Sequence, residues 1–195
     1  MNKFILVGLV SSLFPLYAAE PLREGGSVPD VAVRTADGEE VRLRDLTGAQ
    51  PSVLIFYRGG WCPYCTRHLA ALAEVEESVE ALGYQILAIS PDRPAKLAEA
   101  AKDAVFNYRL LSDSAMSAAR GFGLAFQVDN ATLELYKEYG IDLVDASGET
   151  HHLLPVPAVY IVDTKHRIRF AHIDPDYRKR LDPEAVLTAA RLAMD

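Results

Sequence analysis

Both cysteines of this 195-residue chain fall within five residues, Trp61-Cys62-Pro63-Tyr64-Cys65, directly after an apolar, strand-like run from Val53 to Tyr57. Two thiols separated by two residues at a strand-to-helix junction can close a small disulfide ring and open it again, which is the arrangement of a redox-active dithiol. A structural disulfide gains more by closing a long loop, because the chain entropy it removes from the unfolded state grows with loop length. Two cysteines cannot furnish a four-thiolate zinc site. The pair is therefore read as a redox site rather than a staple or a metal cage.

A thiolate is the attacking species, so such a site must lower a thiol pKa that starts near 8.5. Cys62 falls at the first turn of the helix that follows, where unpaired backbone N–H groups and the positive end of the helix dipole favour an anion. Arg58 and Arg67 flank the motif and either add to this or merely solvate a loop. Pro63 suits a first helical turn, where its missing N–H would be unpaired anyway. Gly59-Gly60 lets the backbone turn sharply out of the strand, and Trp61 is placed either to shield one face of the sulfurs or to pack into the core. Pro157, before a late strand, is expected to be a cis-proline set beside the dithiol to receive a substrate backbone.

The elements that must position these residues can be read from apolar periodicity. Val31-Ala32-Val33 and Val41-Arg42-Leu43 flank the turn dipeptide Asp37-Gly38 and form a hairpin. Ser52 to Tyr57 reads as a buried central strand. Leu69, Leu72, Val75, Val79 and Leu82 recur every three or four residues, which predicts one amphipathic helix stopped by Gly83. Tyr84 to Ser90 is the next strand and Pro94 to Ala104 the next helix. Strand, helix and strand in that order imply a right-handed crossover and a parallel pair. Tyr108 to Leu111 is a short strand, and Ala115 to Arg120 a short helix. Residues Leu124 to Val144 form an insertion with a helical piece around Leu133 to Tyr139. Ala158 to Val162 and Ile168 to Ile173 make a second hairpin, and Asp182-Pro183 opens a last helix running to Met194. Gly25 to Pro29 reads as a linker-like entry. The pattern is one α/β sandwich over residues 20–195.

Residues 1–19 differ in kind. Lys3, an apolar stretch from Phe4, a break at Pro15 and small residues at Ala18 and Ala19 describe a secretory signal peptide, and its apolar core is too short for a comfortable membrane span. Cleavage places the mature chain in the periplasm or outside the cell; an uncleaved N-terminal anchor is the alternative. Net charge is −7 with acids and bases interspersed. That pattern argues against nucleic acid and anionic membrane surfaces as partners.

The strand, Phe56 to Cys65, the following helix and Pro157 before a late strand together resemble the thioredoxin fold, a three-layer α/β/α sandwich on a mixed sheet. The N-terminal hairpin, Ile89-Ser90-Pro91-Asp92, Leu111-Ser112-Asp113 and Pro157 to Asp163 are similar to the peroxiredoxins, the alkyl hydroperoxide reductase and thiol-specific antioxidant branch of that fold. The nearest resemblance is to the peroxiredoxin-like group that carries a C-x-x-C. Against the family pattern Pro-x-x-x-Thr-x-x-Cys, Cys65 takes the peroxidatic position, Cys62 replaces Thr, Arg58 replaces Pro, and Pro157 stands where the family Arg is expected. The buried Asp of thioredoxin corresponds to Phe56. Pro63-Tyr64 is similar to the pair between the cysteines of glutaredoxin, which implies a potential less reducing than that of thioredoxin.

The resemblance implies an antioxidant-type oxidoreductase without a cofactor, re-reduced by an external thiol donor, either thioredoxin-like or membrane-borne. In the first reading Cys62 attacks a substrate disulfide and Cys65 resolves it. In the alternative, Cys65 reduces a hydroperoxide and Cys62 resolves the sulfenic acid. Peroxide reduction is expected to be slow because the Thr and Arg donors are lost. A third reading, a copper-binding chaperone using His151-His152, fits less well because such proteins space their cysteines by three residues. His68, His166 and His172 read as structural, and Asp174-Pro175-Asp176-Tyr177 as a turn. No metal is assigned. The oxidant, the client and the oligomeric state are not encoded in any motif of the chain.

Overall fold

The computed structural model describes residues 19–102 and 104–194, and the expected signal peptide lies, but for Ala19, outside them. Strands β1 (Ala32–Thr35) and β2 (Glu40–Arg42) pair antiparallel around Asp37-Gly38, with Gly38 at φ 88°, a conformation glycine adopts without strain. The chain continues through α1 (Leu43–Ala49), β3 (Ser52–Phe56), α2 (Pro63–Leu72), α3 (Glu76–Ala81), β4 (Gln85–Ser90), α4 (Pro94–Lys102), β5 (Arg109–Ser112) and α5 (Ser117–Gly121). Then come β6 (Ala125–Gln127), α6 (Asn130–Glu138), α7 (Leu143–Ser147), β7 (Leu153–Pro155), β8 (Ala158–Val162), β9 (Ile168–Ile173) and α8 (Pro183–Leu192).

Seven strands form one mixed sheet in the order β2-β1-β5-β4-β3-β8-β9, with β3, β4 and β5 parallel and the outer strands antiparallel. Side chains alternate across a strand, and here the alternation divides the interior into two cores. Val53, Ile55, Tyr57, Ile86, Ala88, Val159 and Ile161 meet α2, α3, α4 and α8 on one face. Leu54, Phe56, Leu87, Ile89, Tyr160 and Val162 meet α1, α5 and the entry segment around Val28 on the other. This is the thioredoxin-like three-layer fold.

Three expectations need correction. The single helix over Leu69 to Leu82 is broken between Leu72 and Glu76, where Ala73, Glu74 and Val75 donate three residues back, to Ala70, Ala71 and Leu72. The tighter turn keeps Leu69, Leu72, Val75 and Val79 buried. It also swings Glu76 inward, so that both its carboxylate oxygens accept the Asn107 N–H at 3.1 Å. Apolar period alone does not distinguish a broken helix from a continuous one. Second, no cis peptide occurs among the described residues, so Pro157 is trans. Having no N–H, Pro157 donates nothing to the sheet, and the ladder starts at Ala158, which pairs with Phe56 and Ile173. Third, the entry segment is strapped down rather than linker-like: Gly25 N donates to Ile168 O at 2.8 Å and Val28 N to His166 O at 2.9 Å.

The insertion is more structured than a single helical piece. β6 and β7 close a separate two-stranded sheet. α6 starts at Asn130 because Asp129 caps it, accepting the Thr132 N–H at 2.9 Å.

Candidate active site

β3 runs straight into the site, delivering Tyr57 and then Arg58. Gly59 lies at φ 147°, and a Cβ there would collide with the Trp61 ring and stand 2.9 Å from Asp92 Oδ1. Asp92, from the end of β4, holds the turn from below: Oδ2 accepts the Gly60 N–H at 2.7 Å and the Ser90 hydroxyl at 3.0 Å. Burial pushes the Asp92 carboxyl above its ordinary range, and the two donors pull it back. Its signal in the sequence was the Ser90-Pro91-Asp92 segment at a strand end, but nothing there indicated that its carboxylate supports the cysteine loop.

Cys62 is the N-cap of α2 and Pro63 occupies its first turn, as expected for an anion-favouring helix start. Both cysteines are buried, Cys62 with 1% and Cys65 with 0% of its surface exposed. Both thiols are free. The Cys65 thiol donates to the Cys62 sulfur, and this brings Cys62 below the ordinary thiol range to about 6 against the opposing effect of burial. The Cys65 backbone N–H, short of capping geometry, and the Arg58 and Arg180 charges add to it. Holding the shared proton raises Cys65, with burial adding to the rise. The pair titrates as a unit rather than as two independent thiols.

Arg180 is the residue that sequence reasoning missed. Its Nη2 donates to Cys65 Sγ at 3.2 Å, while Nη1 donates to Lys179 O at 2.8 Å. It arrives from the segment between β9 and α8, remote from the motif and without a sequence signature. The Arg58 backbone N–H also points at Cys65. The expected loss of donors at Cys65 is thus partly made good: a guanidinium reaches the sulfur although Pro157 stands where the family Arg was expected.

The Arg58 side chain takes a different path. It is 5% exposed and buried against three aromatic rings. Its guanidinium carbon stands 5.1 Å from the Trp61 ring, 5.6 Å from Tyr136 and 4.0 Å from Tyr177. It donates to the Tyr136 hydroxyl, and its Nε has no hydrogen-bond partner among the described residues. Cation–π contact replaces a carboxylate, and the α6 insertion and the β9–α8 segment each contribute a ring.

Of the other expected residues, Trp61 packs at 5.5 Å on Tyr136 and is half-buried. Tyr64 is exposed, set edge-on to Tyr177 at 5.7 Å. Arg67 is exposed and lies 5.9 Å above the Tyr64 ring, so it is not a partner of either sulfur. Pro157 lines a small cleft with His68, Arg180 and Leu181. His151 uses both ring nitrogens structurally: Nε2 donates to Ser114 O at 2.7 Å and Nδ1 accepts the Leu153 N–H at 2.9 Å. The Asp174 to Tyr177 stretch is a turn, with Asp174 Oδ1 accepting the Asp176 N–H at 2.9 Å.

A mixed sheet layered by helices, with a buried dithiol at the β3–α2 junction, defines a thiol redox protein of thioredoxin-like fold. Residues 25–171 match the AhpC/TSA family, and the chain belongs to that family. Peroxiredoxin Bcp of Escherichia coli (strain K12) is 32% identical over 138 residues, covering 68% of this chain and 85% of that one. Peroxiredoxin bcp1 of Schizosaccharomyces pombe is 32% identical over 93 residues, 47% of each chain. Among solved structures, Peroxidoxin BcpB from Mycobacterium tuberculosis superposes with TM-score 0.68 at 21% identity over 88% of this chain and 97% of that one. Peroxiredoxin Q from Xanthomonas campestris gives 0.64 at 18% identity over 85% and 92%. These two likenesses speak to the fold. The family and the curated relatives make the chain a thiol-dependent oxidoreductase.

Proposed function

We propose that the protein is a thiol peroxidase in which Cys65 is the peroxide-attacking sulfur and Cys62 resolves it. The observation that carries this is the Arg180 contact to Cys65, a cationic donor on the sulfur that occupies the peroxidatic position. The proton that Cys65 shares with Cys62 first passes to Cys62; the Cys65 thiolate so formed attacks the distal oxygen of ROOH, the O–O bond breaks, and the alkoxide takes that proton from Cys62 and leaves as ROH. Cys65 is then a sulfenic acid. Cys62 thiolate attacks that sulfur, the S–O bond breaks, hydroxide leaves and takes a proton from solvent to become water, and a Cys62–Cys65 disulfide forms. An external dithiol returns the two electrons and two protons. Arg180 and the Arg58 N–H stabilise the negative charge of the Cys65 thiolate, which passes to the leaving oxygen as the O–O bond breaks.

The burial of both sulfurs separates this from the first reading, disulfide exchange at Cys62. Both sulfurs are occluded, at 1% and 0% exposure, so either substrate needs the site to open; a hydroperoxide needs a smaller opening than a protein disulfide, which must align three sulfurs. The low pKa of Cys62 favours the disulfide reading, yet a resolving thiolate needs the same property. The relatives' names, peroxiredoxins, support peroxide as the oxidant.

The N-terminal segment supports export, so the reductant would be an extracytoplasmic thiol carrier; detection of the mature chain beginning near Glu20 in a periplasmic fraction checks this. The function itself is tested with reduced protein and hydrogen peroxide. Cys62→Ser is expected to accumulate a sulfenic acid on Cys65 far faster than a free thiol does, and Cys65→Ser to be inert. Mixed disulfides trapped with proteins on Cys65→Ser, with no sulfenic acid on Cys62→Ser, would establish disulfide exchange instead.

A further inference from the structure

The segment that carries Arg180 to Cys65 packs Tyr177 edge-on against Tyr64 of the cysteine helix, and one hydrogen bond fastens it there next to Arg180. His68 sits three residues after Cys65 in α2, on the same buried face as Cys65, Leu69 and Leu72. Its Nε2 lies 3.0 Å from the carbonyl oxygen of Leu181, the residue next to Arg180. A carbonyl only accepts, so Nε2 carries the proton and donates. Among the described residues, no other side-chain hydrogen bond besides that of Arg180 itself ties residues 174–182 to α2. The remaining side-chain hydrogen bonds of the segment are local: Arg178 pairs with Asp176 at 2.8 Å on the surface, and Asp182 caps α8 by accepting the Glu184 N–H at 2.9 Å; its start is tied to the sheet, where the Asp174 N–H donates to Pro157 O at 3.2 Å.

From this geometry we infer that His68 is a positioning residue for Arg180: by holding the Leu181 carbonyl against α2, it fixes the distance between the Arg180 guanidinium and the Cys65 sulfur. Both ends of the contact are then referred to one rigid helix. Cys65 is on α2 by sequence, and Arg180 is held to it by a hydrogen bond to the backbone carbonyl one residue away. The ring is 7% exposed, and the groups facing it are Arg180 and His172, so a second positive charge would be unfavourable there and the neutral donor form is the one that fits. The inference rests on the peroxidase reading only for its kinetic consequence; the positional claim concerns the state of Cys65 alone.

The test uses the full mature chain carrying Cys62→Ser, so that Cys65 is the only thiol. Into it go His68→Phe, which keeps a ring but no donor, His68→Gln, which keeps a terminal N–H, Arg180→Met, and the His68→Phe/Arg180→Met pair; His68→Met replaces His68→Phe if that variant does not fold. Thiolate ultraviolet absorbance against pH gives the apparent pKa of Cys65, and stopped-flow with hydrogen peroxide gives its rate constant. Removing the guanidinium contact is expected to raise the pKa by about one unit, the low end for loss of a charge partner. His68→Phe should raise it equally, the pair no further than either alone, and His68→Gln should stay near the parent. Additive shifts in the pair would overturn the inference, since independent sites add and coupled ones do not. So would a parent-like pKa in His68→Phe. If the parent reacts with peroxide no faster than a free thiol, the peroxidase reading fails while the pKa comparison still decides the role of His68.

Discussion

Arg180 and Cys65 are 115 positions apart in the chain, yet a guanidinium nitrogen of one stands 3.2 Å from the sulfur of the other. The contact crosses from the segment after β9 to the first turn of α2, and it gives the buried sulfur a cationic donor that no residue near the motif supplies through its side chain.

Arg180→Met is therefore expected to slow the reaction of Cys65 with hydrogen peroxide by roughly 10²-fold, about 3 kcal/mol, the usual loss for one preorganised donor at a developing charge. Stopped-flow oxidation of the reduced protein measures it. Arg180→Lys should recover part of the loss, because a point charge remains but the planar fork does not.

Cys62 should alkylate as a thiolate down to mildly acidic pH. With its pKa near 6, the rate with iodoacetamide is flat above about pH 7 and falls as pH drops through 6, because protonation removes the nucleophile. In Cys65→Ala the S–H donor is gone, so the midpoint should move up toward that of an ordinary thiol. A midpoint unchanged from the parent would mean that the Cys65 proton does not set it.

Arg58→Met separates stability from chemistry. The guanidinium is buried without a carboxylate and leaves Nε unpaired, so an apolar side chain of similar length should keep stability within about 1 kcal/mol or raise it. The same change removes a charge that lowers Cys62, and the alkylation midpoint should rise. Urea denaturation and the pH profile, measured on the same variant, read the two effects.

At Gly59 a side chain is excluded twice, by φ 147° and by the approach of Trp61 and Asp92. Gly59→Ala is expected to cost at least about 2 kcal/mol and to displace the only tryptophan of the chain. Denaturation midpoints and the fluorescence of Trp61 report the two consequences together.

His68 makes the fold acid-sensitive. Burial, its largest cause, depresses its pKa from 6.5 to about 4, so between those values the unfolded chain binds the proton that the folded one excludes. Its contribution is complete above pH 6.5 and is lost as pH falls through 4, by about 3 kcal/mol at most. His68→Gln should flatten the stability curve in that window, as urea melts at stepped pH will show.

Local periodicity carried most of the fold. The continuous apolar run from Ser52 to Tyr57 marked a buried central strand, Ala158 to Val162 with Ile168 to Ile173 marked a hairpin, and the Asp182-Pro183 cap marked α8. It failed at Ala73 to Val75, because Val75 and Val79 are buried whether the helix runs on or tightens by three-residue steps; the inward turn of Glu76 toward Asn107 is a tertiary event. It failed too at Pro157, whose place before β8 was legible but whose trans peptide depends on the packing around it.

Within the site, everything contiguous was readable: Cys62 and Cys65 at a helix start, Pro63 in its first turn, Gly59 in the sharp bend, Arg58 beside them. The covalent spacing of the two sulfurs and the field of the helix terminus follow from a few adjacent residues, so the sequence by itself determined that two thiols stand together at a helix start, the arrangement of a redox dithiol. Which donor reaches which sulfur was decided only by the tertiary structure. Arg180 and Tyr177, Asp92 and Tyr136 come from three separate segments, and hydrogen bonds act over about 3 Å, a distance that sequence separation does not encode.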